Sequence, residues 1–535
     1  MSAYTAHVDT FARENLPPLD QWPELLFELP ELRYPARVNC ASVLLDEAVA
    51  EGHGERTALL SRAGSWSYGL LLERANRIAR VLTEDMGLVP GNRVLLRAPN
   101  SPLLVACWLA VVKAGGIAVT TMPLLRAREL RGIAEKARIR HALCDARLVE
   151  ELEQAGAGTG WLGERMTFGG GELEEAIEGK APAFENVVTA ADDVCLLAFT
   201  SGTTGRPKAT MHFHRDVLAM TDTVARHLLA TGPTDVYLGS PPIGFTYGLG
   251  GLLAFPLRFR GAVALVERPT PEALATAARE FGATCLFTAP TLYRTLLREL
   301  DPRDLRSIRR YVSAGEPLPR STSDAWYEAT GRRIIDGIGT TEMLHIFIAA
   351  AASEIRPGAT GKPVPGYRAC VLGEEDAPLP QGSTGRLAVK GPTGCRYLAD
   401  ERQREYVVNG WNVTGDRYRV DEDGYYWFEA RADDMILSAG YNIAGPEVEE
   451  TLLEHDAVGE CAVVGAPDPA RGCIVKAFVV LNPGFDEGDG LVANLQDHVK
   501  RSIAPYKYPR AIEFVASLPR TETGKLQRFK LRERA

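Results

Sequence analysis

Residues 195–208 read CLLAFTSGTTGRPK: an apolar, strand-like run from Cys195 to Phe199 that breaks into a turn of hydroxyls, glycines and one lysine. Thr200, Ser201, Gly202, Thr203, Thr204, Gly205 and Lys208 are what phosphate oxygens require. Glycines let backbone N–H groups come close, hydroxyls donate, and the lysine supplies charge. The same residues would also serve as a solvent turn. The Walker pattern is not met, because Arg206 and Pro207 separate Gly205 from Lys208 and Ala209 follows. This argues against an ordinary P-loop ATPase or kinase.

Working outward, strand-like runs alternate with helical periodicity. LLLERANRIARVLTE (70–84) reads as an amphipathic helix, Val94–Leu96 as a strand and 103–114 as a buried helix leading into another strand. GAVALVE (261–267) and ATCLFTA (283–289) read as strands. Helices start at Pro271 and Pro290, the proline-first pattern. The alternation predicts an α/β fold with parallel sheets. Residues 1–60, rich in proline and acid, read as a surface arm. Past Gly358 the texture turns to glycine, proline and short β runs (RACVL, GRLAVK, GYYWFEA), which predicts a small β-rich subdomain. From 432 onward, helix GPEVEETLLEH, strands CAVVGA and KAFVVL, helix LVANLQDHVKRSI and strand AIEFVASL predict a small α+β domain of about 100 residues. The expected division is 1–431 and 432–535.

The chain has 535 residues, too many for one core. Its net charge of -9 argues against a general nucleic-acid binder. Nine scattered cysteines without a CxxC pair fit buried thiols in a reducing compartment. Neither a leader peptide nor a spanning segment is read from the sequence, since the most apolar run, 103–119, is broken by Lys113 and Gly115-Gly116. The expectation is a cytoplasmic enzyme, monomer or homodimer, with no membrane or nucleic-acid partner.

Four further strings carry chemistry. Asp336-Gly337-Ile338-Gly339-Thr340-Thr341-Glu342 is a strand running into a glycine turn with two hydroxyls and a carboxylate, equally readable as a helix start or as a Mg²⁺ ligand beside phosphate. Thr414-Gly415-Asp416, followed fifteen residues later by Arg431, reads by itself as a β-turn carrying a two-oxygen acceptor. Arg431-Ala432-Asp433-Asp434 falls at the expected boundary. Pro519-Arg520-Thr521-Glu522-Thr523-Gly524-Lys525 is a polar loop whose lysine, a flexible point charge, reads by itself as solvated.

In order and spacing these strings resemble the adenylate-forming superfamily of acyl-CoA synthetases, peptide-synthetase adenylation domains and luciferases. TSGTTGRPK looks like its phosphate loop. The resemblance implies that Thr341 contacts the α-phosphate, Glu342 holds Mg²⁺, and Ala314, Gly315, Glu316 and Pro317 pack on adenine while Asp336 and Gly337 lie at its edge. It implies further that Asp416 and Arg431 serve the ribose. Asp433 would be the hinge of a mobile C-terminal domain, and Lys525 would enter for adenylation. Phe245, Tyr247 and Gly248 would form one acyl-pocket wall, Gly339 and His345 would line the same pocket, and Gly440 and Tyr441 would line the pantetheine path. His345 also reads as a core histidine. GIGTTEMLHIF is similar to benzoate and 2-aminobenzoate CoA ligases, and TMHFHRD (210–216) and SAGYNIAGPEVE (438–449) look closest to the 2-aminobenzoate branch. One departure is Leu437, where many members carry lysine.

The function so implied is an AMP-forming acid–thiol ligase using ATP, Mg²⁺ and coenzyme A on an aromatic carboxylate such as 2-aminobenzoate or benzoate. Its catalytic residues would be Thr200, Glu342 and Lys525. A stand-alone adenylation enzyme that loads a carrier protein, and a non-catalytic nucleotide-binding protein, are the alternatives.

Overall fold

The structure, a computed structural model, describes residues 4–200, 207–315, 318, 320–431, 435–519 and 528–535. Its first sheet has six strands in the order Glu164–Phe168, His141–Asp145, Arg93–Arg97, Ile117–Thr121, Val194–Thr200, Lys208–Phe213. All neighbours are parallel except the last pair. The second sheet has nine strands. At its centre Ala262–Ala264, Val236–Gly239, Cys285–Thr288, Arg310–Ser313 and Ile334–Gly339 run parallel. The fold class expected from the alternation is what the structure has.

Local chemistry sets these elements. Ser67 caps helix Tyr68–Arg80 by accepting from the Leu70 N–H, and Ser101 caps helix Pro102–Lys113 through Leu104, with proline in the first turn. The second helix is apolar on every side because it is buried on every side. It touches helix Tyr68–Arg80, strands of the first sheet and strand Thr57–Ser61 of the second, so one core joins both sheets. Lys113, which interrupts that apolar run, is fully buried, and its ammonium lies 2.5 and 2.6 Å from the two carboxylate oxygens of Asp46. Burial pulls the lysine's pKa down and Asp46 opposes it.

The surface-arm reading of residues 1–60 is corrected. Cys40, Leu44, Leu45 and Ala48 are fully buried, and Thr57–Ser61 is a strand of the nine-stranded sheet. The proline- and acid-rich composition of residues 14–37 masked the helical apolar spacing that follows it.

A five-stranded antiparallel sheet covers Arg368–Leu372, Thr384–Lys390, Val407–Val408, Trp411–Val420 and Tyr426–Arg431, as the change of texture predicts. The small C-terminal domain opens with a hairpin, Met435–Ser438 and Tyr441–Ala444. Helix Gly445–Leu453, the antiparallel pair Val458–Asp468 and Gly472–Leu481, helix Asp489–Ser502 and strand Ala511–Phe514 follow. Val448, Leu452, Val463, Val475, Leu495 and Val499 are its core. The basic tail includes helix Arg528–Arg534, which buries Leu531 and pairs Arg528 with Glu449. All nine cysteines are free thiols. No helix among the described residues is long and apolar enough to cross a membrane.

Candidate active site

The strands of both parallel sheets end at one cavity of about 820 Å³. Thr120 and Thr121 end one strand and Thr200 another. Ser240, Ala289 and Ala314 each follow a strand, and Asp336 to Gly339 close a fourth in the same sheet. Ligands of α/β sheets bind beyond the carboxyl ends of their strands, where loops diverge and backbone groups are left unpaired.

Strands Val194–Thr200 and Lys208–Phe213, on either side of the phosphate-loop string, pair antiparallel. Thr200 and Lys208 are register partners at the end of this pair, and both face the cavity. Ser201, Gly202, Thr203, Thr204 and Gly205 lie outside the described residues. The Lys208 ammonium sits 5.4 Å from the ring centroid of Tyr397.

Across the cavity, strand Ile334–Gly339 runs into the turn carrying Thr340, Thr341 and Glu342. The turn is pinned from three sides. The Met343 N–H donates to the Thr340 hydroxyl (3.1 Å), His212 Nε2 donates to the Thr341 carbonyl (2.8 Å), and the Tyr397 hydroxyl donates to Glu342 Oε1 (2.5 Å). Behind it, the fully buried Arg396 pairs with Asp216. Burial works against the Asp216 anion, but the Arg396 guanidinium holds its carboxyl at about 2. A hard carboxylate with two hydroxyls on one wall suits Mg²⁺.

A third wall carries Ala314, Gly315, Asp336, Gly337 and Asp416. Ser313 and Asp336 are neighbours in register, so the two strings read separately in the sequence end side by side. Asp336 Oδ1 has no protein partner, and burial raises its carboxyl to about 8. Asp416 and Arg431, fifteen positions apart in sequence, are register partners of adjacent strands. Glu316, Pro317, Asp433 and Lys525 lie outside the described residues.

The far end is aromatic. Tyr247 donates to the carbonyls of Val312 (3.0 Å) and Thr288 (3.3 Å), which fixes its ring. His345 stands 4.6 Å from the Phe255 centroid and 5.6 Å from that of Tyr247, and its Nε2 is 3.4 Å from the Tyr247 carbonyl. Burial drives its pKa down to about 3, so the ring is neutral. Gly250 allows this approach, since a Cβ there would lie 2.4 Å from His345 Cδ2. Phe245, Tyr247, Gly339 and His345 all line the cavity. Gly248 does not: it packs on the Pro242 carbonyl behind the wall, where a Cβ would come to 2.0 Å.

The C-terminal domain adds Leu437, Ala439, Gly440 and Tyr441 from its hairpin. Tyr441 stacks on Tyr506 at 4.1 Å and faces Phe245 at 6.3 Å. Sequence reading missed Tyr397, His212, Tyr406 and Tyr506. Each acts through a partner remote in the chain, Tyr406 through the Thr340 hydroxyl at 3.1 Å; His212 lies within the TMHFHRD string, but nothing in that string points to the turn it holds.

With this geometry in view, the family model "AMP-binding enzyme" matches residues 46–397, and "AMP-binding enzyme C-terminal domain" matches 447–525. The chain is 36% identical to the benzoate–CoA ligase of Thauera aromatica over 514 residues, covering 94% of this chain and 97% of that protein. A crystal structure of the anthranilate CoA ligase AuaEII in complex with anthranoyl-AMP superposes with a TM-score of 0.74 at 34% identity, covering 95% of this chain and 99% of that one. A benzoate CoA ligase from Burkholderia xenovorans LB400 gives 0.71 at 34% identity, covering 92% and 100%. The family model spans both parallel sheets and the turn of Glu342, and relatives align along nearly the full length; the chain belongs to the AMP-binding enzyme family.

Proposed function

We propose that this protein is an ATP-dependent aryl-CoA ligase that forms an aromatic acyl-adenylate, releases pyrophosphate and passes the acyl group to coenzyme A. The observation that carries this reading is the closed aromatic end of the cavity, Phe245, Tyr247 and neutral His345, joined to the polar wall of Thr200, Lys208, Thr341 and Glu342. A flat apolar slot takes an aryl ring. The polar wall takes a triphosphate. Similarity to benzoate and anthranilate CoA ligases supports an aromatic acid, with 2-aminobenzoate or benzoate as the substrate we expect.

In the first half-reaction a carboxylate oxygen bonds to the α-phosphorus of ATP, and the bond to pyrophosphate breaks. Two anions must meet, so alignment and charge neutralisation dominate. Thr200, the phosphate loop and Lys208 hold the polyphosphate, Asp416 and Arg431 hold the ribose, and Ala314, Gly315 and Asp336 hold adenine. Mg²⁺, held by Glu342, would supply charge neutralisation on phosphate oxygens. Lys525 bridges the two anions. In the second half-reaction the domain 432–535 turns about Asp433. The CoA sulfur then bonds to the acyl carbon, the C–O bond of the anhydride breaks, and AMP leaves with the electron pair while the thiol proton passes to water. The small domain already places Gly440 and Tyr441 at the cavity.

Acid-dependent exchange of labelled pyrophosphate into ATP, followed by AMP release on adding CoA, tests the proposal across benzoate, 2-aminobenzoate, salicylate and medium-chain fatty acids. Production of ADP and orthophosphate would refute it. Lys525→Ala should abolish exchange and spare thioester formation from supplied acyl-AMP. Offering a phosphopantetheinylated carrier beside free CoA decides the acceptor.

A further inference from the structure

Lys507 is buried between two carboxylates from different parts of the fold. Its ammonium contacts Glu129 Oε1, and both oxygens of Glu447 at 2.8 and 2.9 Å. The side chains are 5%, 9% and 15% exposed respectively. Glu129 lies in the first turn of helix Ala127–Ala137, beside the first parallel sheet. Glu447 lies in the first turn of helix Gly445–Leu453, directly after the hairpin whose Ala439–Gly440 turn enters the cavity. The other Glu129 oxygen accepts the N–H of Ala504, again from the small domain, at 2.9 Å. Tyr506, next to Lys507, carries the stacked Tyr441. Around this centre the exposed pair Arg128–Glu454 makes a further crossing contact.

A buried ion cluster is a poor source of net stability, because desolvation consumes most of the Coulomb gain. It is strongly selective for one geometry, and its members re-solvate when the surfaces part. An interface that must both seat accurately and release is served by such a cluster better than by an apolar patch. We infer that Glu129, Lys507 and Glu447 form a clamp that seats the small domain with its hairpin turn in the cavity, and that the clamp serves acyl transfer to the thiol and not adenylate formation. The inference rests on the ligase reading above. All three are positioning residues, acting through the hairpin.

Glu129 is the member outside the small domain. Glu129→Gln therefore leaves the Lys507–Glu447 pair whole and removes the crossing charge. Acid-dependent pyrophosphate exchange should stay within about twofold, while thioester formation from supplied acyl-AMP and CoA should fall about tenfold, the rate equivalent of one charge-assisted hydrogen bond. Lys507→Met leaves Glu129 and Glu447 facing each other across the interface with no cation between them and should lose more of the transfer step. Adding Glu129→Gln to Lys507→Met should restore part of that loss, which simple misfolding would not do. Equal loss of both half-reactions in Glu129→Gln, or no loss in either, overturns the clamp. A wild-type protein without acid-dependent exchange would overturn the ligase reading itself, and the clamp with it.

Discussion

The Tyr397 hydroxyl donates a 2.5 Å hydrogen bond to Glu342 Oε1, joining the segment that bridges to Thr210 to the turn that would hold Mg²⁺. Burial keeps the phenol protonated by pushing its pKa well above the ordinary value, so it remains a donor throughout the working range. Its role is to fix which way the Glu342 carboxylate faces.

Tyr397→Phe should raise the Mg²⁺ concentration for half-maximal pyrophosphate exchange by roughly tenfold, the loss of one hydrogen bond to a charged acceptor. kcat should recover at saturating Mg²⁺, and KM for the acid should hold. Titrating Mg²⁺ against both enzymes checks this. In Glu342→Gln the added Tyr397→Phe should cost little more, because the two groups act as one. Independent, additive losses would refute the link.

Gly250→Ala places a methyl 2.4 Å from His345 Cδ2 and 3.0 Å from Phe255 Cζ. The imidazole must shift toward the acyl end of the cavity. Overpacking of this kind costs about 1–3 kcal/mol, felt where His345 meets the ring of the acid. KM for the aromatic acid should rise about tenfold while KM for ATP is unchanged, and a smaller acid should suffer less. Steady-state kinetics with two acids of different size distinguish this from general loss of fold.

How much of this was legible in the sequence depends on distance along the chain. Thr200 and Lys208, the Thr341–Glu342 turn and Asp416 belong to short strings whose chemistry sits in adjacent residues, and the cavity gathers them. Asp416 and Arg431 were read as a spaced pair, and the register of their strands places them opposite each other. Tyr397 acts on a residue 55 positions away and Lys507 on one 378 positions away, so neither shows a local pattern. Gly248 was read as pocket wall by its neighbours, yet its missing side chain makes room for the Pro242 carbonyl. The buried segment around Cys40 to Ala48 was hidden because the composition of its flank outweighed its own spacing.

Asp336 gives the protein a pH signature. Its folded pKa of about 8 lies above the unfolded value near 4, because burial penalises the anion. The folded state therefore holds the proton more tightly. This stabilisation is complete below the unfolded pKa, declines as pH rises from about 4 and is lost once pH passes 8. Asp336→Asn removes this slope. Denaturation midpoints of the ligand-free proteins, measured from pH 5 to 9, should show wild type falling relative to the asparagine variant up to about pH 8 and then running parallel. A constant difference across the range would refute the assignment.

The hairpin turn that enters the cavity carries a cost that substitution can expose. Ala439 has φ of +49° and Gly440 φ of +82°, so both residues of a two-residue loop lie in the left-handed region. Such turns match the twist of their strands but penalise any residue with a Cβ other than asparagine or aspartate by roughly 1 kcal/mol. Ala439→Asn should lessen that penalty and Ala439→Val should enlarge it. Because Ser438 and Tyr441 flank the turn in register, hydrogen exchange at their amides should slow several-fold in the asparagine variant and quicken in the valine variant. Acyl transfer should follow the same order if an ordered turn is what the thiol requires, while pyrophosphate exchange should not change. Exchange rates at these amides that ignore both substitutions would show that the left-handed turn is not what holds the hairpin.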